Sequence, residues 1–306
     1  MQISAQKLID YILHFNKMKL WLLTRYPKII TNDEKYLKKW WYYYWGYPLN
    51  LNNPVTYNEK LQWLKLYDRN PRYTDLVDKV EVKNFVSTLI GNKYVIPTIA
   101  VYSKVEDIMW EKLPDQFVMK CTHDSGGNII CKDKSKLNIE EAKKKLSKCL
   151  KYDYYMLSRE WPYKDVPRRI LVEKYLEDSA TSELRDYKFF CFDGEVKAMF
   201  VATERQQWGK EVKFDFFDAE YNHLAMRQGH QNAGIEPERP TRFEEMKRLA
   251  ENLSKGIPQV RVDFYECDGE VYFGELTFFH FSGMVKFEPE EWDYTFGNWL
   301  TLPQKV

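Results

Sequence analysis

The stretch Val260–Phe278, VRVDFYECDGEVYFGELTF, decides how this sequence is read. Two apolar runs flank Asp268-Gly269, the residue pair favoured in a two-residue hairpin turn. Alternate residues of a strand share a face, so Arg261 and Asp263 point one way, as do Glu275 and Thr277 on the partner strand. Folding at the turn brings a pair of carboxylates beside an arginine. Two carboxylates at one place repel unless a cation or a proton neutralises them. Magnesium suits such a pair because it takes one or two carboxylates and completes its shell with phosphate and water. The plainer reading is a salt bridge from Arg261 to Asp263 and Glu275 on a solvated face. Asp268 and Glu270 read as turn residues in water.

The same design occurs upstream in DYKFFCFDGEVKAMFVAT (Asp186–Thr203), two strands joined at Asp193-Gly194, with TRFEEMKRLAENLSKG (Thr241–Gly256) between the hairpins as a helix ended by glycine. Further towards the N-terminus, FVMKCTHDSGGNIICKD (Phe117–Asp133) places Lys120 at the end of an apolar run, before a loop of Ser125, Gly126 and Gly127. Such a loop exposes backbone amides to a phosphate; the alternative is a hairpin with a solvated lysine. RRILVEKYL (Arg168–Leu176) is a strand closed by Glu173 and Lys174, YVIPTIAVY a shorter one, and VEDIMWEKL (Val105–Leu113) a helix. A helix is expected from near Thr74 through DLVDKVEVKNFVSTLI, with Val82, Phe85, Val86 and Leu89 on one face and Asp78-Lys79 near its start. NIEEAKKKLSKCLKYDYYML (Asn138–Leu157) reads as one amphipathic helix with a lysine-rich outer side. From Ser4 to about Asn70 the pattern is helical, and Thr56 with Glu59 has capping-box spacing. The fold class is α+β, divided as a helical region 1–72 and two mixed lobes, 73–172 and 173–306.

The 306 residues are 44% hydrophobic and 30% charged, which describes a globular chain with a real core. A formal net charge of +1 gives no global attraction to nucleic acid, so any anion site is local. Five cysteines without paired short spacing suit reduced thiols, and no Cys/His cluster has zinc spacing. Lys7, Asp10, Lys17 and Lys19 interrupt the N-terminal apolar residues, which excludes a spanning helix and a signal peptide; the expected location is cytoplasmic. The aromatic patch KKWWYYYWGY (Lys38–Tyr47) reads as the packing of a small helical region, with a sugar ring or a membrane surface as the other readings. P-loop, dinucleotide and nucleophile-elbow signatures are absent.

Taken in order, NPVTYNEKLQWLKLYDRNPRYTDLVDKVEVK, FVMKCTHDSGGNI, ILVEKYLED, DYKFFCFDGEVK and VRVDFYECDGEVYFGELTFFHFSG resemble the ATP-grasp superfamily, and within it the TupA-like (teichuronopeptide biosynthesis) branch associated with bacterial surface polysaccharides. The likeness runs from about Pro48 to Leu302. It implies two α+β lobes clasping ATP, preceded by a helical extension. In that frame Lys79 and Lys120 bind phosphates and the amides of Ser125, Gly126 and Gly127 cover them. Glu173, Lys174 and the Leu176 amide face the adenine, while Asp186 takes the ribose and Lys188 a phosphate. Asp263, Glu275 and Thr277 hold one or two magnesium ions, and Arg261 stabilises the transferring group. The wider superfamily usually has Asn where this chain has Thr277, which puts the second ion in question. Arg205, His280 and Ser282 lie beside these motifs as further candidates, His280 and Ser282 also reading as a core residue and a turn.

The activity implied is ATP-dependent carboxylate–amine ligation through an acyl phosphate. A carboxylate-bearing saccharide, such as a uronic acid, is the implied acceptor, and an amino acid or amine the donor. A sugar kinase, a noncatalytic nucleotide-binding partner in polysaccharide assembly and a glycosyltransferase are the competing readings. A peripheral contact with membrane or assembly machinery is left open.

Overall fold

The computed structural model describes residues 5–124, 127–179, 184–204 and 211–305. In chain order the elements are α1 (Ala5–Arg25), α2 (Asp33–Trp45), α3 (Tyr57–Tyr67), α4 (Arg72–Val77), α5 (Glu81–Leu89), β1 (Thr98–Tyr102), β2 (Phe117–Cys121), β3 (Ile129–Cys131), α6 (Ile139–Lys151), α7 (Tyr154–Ser158) and β4 (Ile170–Lys174). They continue with β5 (Asp186–Phe192), β6 (Glu195–Thr203), β7 (Lys213–Asp218), β8 (Arg227–Gln228), α8 (Phe243–Ser254), β9 (Val260–Cys267), β10 (Glu270–Thr277), β11 (Phe287–Glu288) and α9 (Glu291–Trp299).

Two antiparallel sheets carry the architecture. The smaller has the order β1-β4-β2-β3 and the larger β10-β9-β5-β6-β7. In β2, Phe117, Met119 and Cys121 are buried in a small apolar cluster with α6, so Val118 and Lys120 take the opposite side. The lysine in an apolar strand therefore follows from period-two alternation. The larger sheet is covered by α8, whose Phe243, Met246, Leu249, Ala250 and Leu253 form one buried stripe. Residues of α3, α4 and α5 join that same cluster, including Leu61, Leu76 and Val86, so the chain on either side of position 72 shares one core.

Both hairpin turns adopt the positive backbone angles their Asp-Gly pairs permit, with φ of 51° and 76° at Asp268 and Gly269. Thr56 and Glu59 form the capping box of α3. Three local expectations are corrected. The helix expected through Thr74–Ile90 is broken at Asp78–Val80, because the Asp78 carboxylate accepts the Val80 N–H and binds Arg169. Leu89 is consequently exposed, whereas Val82 and Val86 are buried. VEDIMWEKL forms two single 3₁₀ turns, at Val105–Asp107 and Trp110–Lys112. Its apolar spacing of three, Val105 and Ile108, fits a 3₁₀ turn as well as an α-helix. The helix expected over Asn138–Leu157 is interrupted at Tyr152-Asp153, where Asp153 caps α7 through the Met156 N–H. In the aromatic patch, Trp41 is fully buried and stacks on Trp45, while Tyr42, Tyr44 and Tyr47 remain accessible.

The C-terminal helix docks closely on α3. Asp293 accepts the Asn58 N–H and side-chain amide at 2.9 and 2.8 Å, and Lys60 donates to the carbonyls of Gly297 and Leu300. A methyl group on Gly297 would overlap the Val55 carbonyl oxygen and press on the backbone of Thr56 and Tyr57. Gly297→Ala should therefore destabilise the protein by about 1–3 kcal/mol, read as a lower midpoint in urea unfolding.

Candidate active site

The hairpin register fixes the centre of the site. Arg261 pairs with Thr277 and Asp263 with Glu275, and Gly274 is the extra residue of a bulge between Phe273 and Glu275. On its other side β9 pairs with β5, where Asp263 faces Lys188 and Tyr265 faces Asp186. Glu275, Asp263 and Lys188 thus form one row across three strands.

Arg261 grips Asp263 in a two-pronged pair, Nε to Oδ1 and Nη2 to Oδ2, both 2.7 Å. Its Nη2 also reaches Thr277 Oγ1 at 3.0 Å and Glu275 Oε1 at 3.3 Å. Lys188 binds the Asp263 Oδ2 and lies 3.3 Å from Asp186. Burial alone would raise the Asp263 carboxyl, yet Arg261 and then Lys188 hold it well below the usual carboxylate range. His280 is driven the other way: burial, then the Arg261 charge, keep it neutral. Its Nδ1 lies 2.6 Å from Arg261 Nη1 and must accept, so the ring proton sits on Nε2, which has no partner. His280 is enclosed by Phe190, Phe200 and Phe281 and acts on the site through Arg261. Ser282 turns away to Lys65, whose buried ammonium binds the Ser282 carbonyl and hydroxyl at 2.9 and 2.7 Å.

Above this buried layer a cleft opens between the sheets. Lys79, Lys83, Lys120 and Lys188 line it together with Glu173, Asp186 and Glu275. The break between α4 and α5 sets Lys79 at the cleft edge, where it donates to the Asp124 carbonyl. Glu173 stands between two cations, 2.6 Å from Lys83 and 2.8 Å from Lys120. Burial lowers the Lys79, Lys83 and Lys188 ammonium groups below their ordinary value, partly offset by neighbouring carboxylates. Lys83 escaped the sequence reading, although it follows Lys79 by four residues, the spacing of one helical face. Behind the site, burial, then Glu160, raises the Tyr154 and Tyr163 phenols well above normal, with Glu275 adding to the effect.

The cleft continues into a second, more apolar recess. Val118, Ile130, Leu176 and Leu184 line it with Lys174 and Tyr265. The Lys174 N–H is already bonded to the Pro97 carbonyl. Gly127 packs so tightly on Cys149 and Asp124 that a side chain there would overlap both. Arg205, Ser125 and Gly126 lie outside the described residues.

The oxygen donors suit a hard cation, with unequal freedom. Glu275 is half exposed towards the cleft. Asp263 is ionised but already serves Arg261 and Lys188, so a cation there shares or displaces the Lys188 ammonium. Thr277 accepts from Arg261 and donates to Glu275 at 3.3 Å, which makes it the weakest of the three donors.

No curated protein matches the sequence. Among solved structures, the ATP-grasp ligase PsnB complexed with minimal precursor aligns over 72% of this chain and 60% of its own, at 11% identity and a TM-score of 0.41. D-alanine–D-alanine ligase from Bacillus anthracis complexed with ATP aligns over 66% and 53%, at 17% and 0.37. D-cycloserine synthetase DcsG aligns over 68% and 63%, at 16% and 0.39. The chain thus spans less than two thirds of the length of each. Residues 59–301 match the family described as TupA-like ATPgrasp. That span contains both sheets and the cleft between them, and the chain belongs to the TupA-like ATPgrasp family.

Proposed function

We propose that the protein is an ATP-dependent carboxylate–amine ligase acting through an acyl phosphate. The observation that carries this reading is the convergence of Lys79, Lys83, Lys120 and Lys188, drawn from different elements, in one cleft that runs on into an apolar recess. Such a pair of compartments fits a polyphosphate joined to a flat base. Lys79, Lys120 and Lys188 hold the phosphates, with the amides around Gly127 beside them. The adenine occupies the recess against Val118, Ile130 and Leu176, with the Leu176 amide and Lys174 at its edge, and Asp186 binds the ribose.

In this mechanism a γ-phosphoryl group passes to a substrate carboxylate oxygen, leaving ADP. An amine then attacks the acyl carbon, the bond to phosphate breaks, and an amide and inorganic phosphate result. The protein supplies no nucleophile; it positions the reactants, excludes water and stabilises charge. Asp263 and Glu275, with Thr277, would hold magnesium, which when bound neutralises charge between the phosphates. Arg261 sets the Asp263 carboxylate in place and directs one N–H towards Glu275 and Thr277. Glu173 keeps Lys83 and Lys120 compensated before a nucleotide arrives. The acceptor that accords with the family is a uronic acid of a bacterial surface polysaccharide or its precursor, joined to an amino acid or amine.

Hydroxylamine distinguishes this reaction from its rivals. A hydroxamate should form that depends on both ATP and a uronic acid; a stable phosphosugar instead would indicate a kinase, and no ATP turnover with any acceptor would sink the reading. Arg261→Met should lower ADP release by about 10²–10³-fold, and Arg261→Lys should not restore it, since a lysine cannot make the two-pronged pair. Nucleotide affinity should fall as pH rises. Lys79, Lys83 and Lys188 sit below the ordinary lysine value of 10.5, so they lose their charge earlier than exposed lysines do. Calorimetric titration with an ATP analogue across alkaline pH would register that loss, and a flat profile would contradict it.

A further inference from the structure

Residues 15–29, FNKMKLWLLTRYPKI, contain four cations and no acid. Along the C-terminal half of α1, Phe15, Met18 and Leu22 recur at helical spacing on one side, with Trp21 beside them. The opposite side is the one that packs: Asn16 is buried, and Leu23 joins Tyr36 and Leu37 of α2 in a small cluster. The outer side is left open. Phe15, Met18, Trp21 and Leu22 form an apolar ridge, 50, 47, 60 and 44% exposed, and Tyr26 and Ile29, just beyond the helix end, are exposed as well.

Cations border this ridge. At 100° per residue, Lys17 falls along one edge and Lys19 along the other, while Arg25 stands in line with the ridge at the helix end. The Lys19 ammonium lies 4.1 Å from the Phe15 ring centre, so its stem runs along the apolar surface with the charge at the rim. Next to Lys19, α2 adds Lys35, Lys38 and Lys39 around a groove with Tyr42 and Tyr43. Among these, Lys38 is paired with Glu34. No described helix is long and apolar enough to cross a membrane.

We infer that this face of α1 docks on an anionic lipid surface. Apolar side chains enter the boundary between headgroups and acyl chains, Trp21 and Tyr26 sit at headgroup level, and Lys17, Lys19, Arg25 and Lys28 meet lipid phosphates. The charge pattern selects lipid over a second copy of the chain. Two copies meeting ridge to ridge would confront basic edge with basic edge, with no acid in the segment to relieve it. The inference is independent of the nucleotide reading, because α1 lies outside the family-matched span and carries none of the cleft residues.

The test is co-sedimentation of the full chain with vesicles of phosphatidylcholine alone or mixed with phosphatidylglycerol. Binding should require the anionic lipid and weaken as salt rises. Trp21→Glu with Leu22→Glu should abolish it, and Lys17→Gln with Lys19→Gln should weaken it by about tenfold or more. A circular-dichroism melt identifies folded variants, and the glutamine pair serves if the glutamate pair does not fold. Equal binding to both vesicle types, or binding to neither, overturns the inference. So does a concentration-dependent dimer in analytical ultracentrifugation that Trp21→Glu disperses.

Discussion

A guanidinium removed from water must be paired, and in this protein the pairing of Arg261 with Asp263 governs the surrounding structure. Both charges are almost wholly buried, and separating them would leave an uncompensated ion in a low-dielectric interior. The pair therefore resists any shift of β9. A slip of one residue would turn Arg261 and Asp263 into the core occupied by Val260, Val262 and Phe264, and bring those apolar side chains to the cleft floor. Register, charge and cleft are thus one constraint. The bulge at Gly274 follows from it, because the strand can set Glu275 opposite Asp263 only by accommodating one extra residue.

The join between the two sheets combines a small apolar cluster, Ile96 and Leu176 against Cys267, Tyr265 and Tyr272, with a set of polar contacts from the α4–α5 segment. Lys79 bonds to the Asp124 carbonyl, Lys83 to Glu173, and Arg169 to Asp78 and Glu81 at 2.6 and 2.9 Å. Each contact runs from the α4–α5 segment to the smaller sheet or the loops next to it. Unlike the apolar cluster, these polar partners can exchange one acceptor for another. A polyanion entering the cleft would compete with Glu173 for Lys120, its neighbour in the smaller sheet, and for Lys83, which ties α5 to that sheet.

Local rules made part of this legible before any coordinates. The Asp-Gly turns, the strand alternation and the capping box at Thr56 and Glu59 are each written in neighbouring residues, and each appears in the structure. The break at Asp78–Val80 was not legible, because half of its cause, Arg169, lies ninety-odd residues away in sequence. Lys83 was overlooked for the same reason: as one lysine on a helix it reads as solvated until Glu173 is brought beside it. In the other direction, the sequence treats Asp263 and Glu275 alike, as a magnesium-binding couple or as partners of Arg261 on a solvated face. The fold distinguishes them, sinking Asp263 under Arg261 and Lys188 while leaving Glu275 open to the cleft.

The segment after β10 explains how the N-terminal helices bear on this chemistry. Phe281 and Ser282 hold positive φ angles of 48° and 57°, which bulky residues avoid, and such strain persists only where surroundings impose it. Lys65 and Gln62 of α3 both bind this turn, Gln62 through the Ser282 and Gly283 carbonyls. Lys65 is fully buried and bonded to Ser282, Gln62 and the Ser158 carbonyl, and burial depresses it to about 8. Glu160, raised by burial to about 7 and drawn back by Lys65, supplies the neighbouring charge. The strained turn carries His280, and His280 accepts from Arg261. A chain of contacts thus runs from Lys65 of α3 through Ser282 and the adjoining His280 to Arg261, which joins the N-terminal helices to the cleft floor.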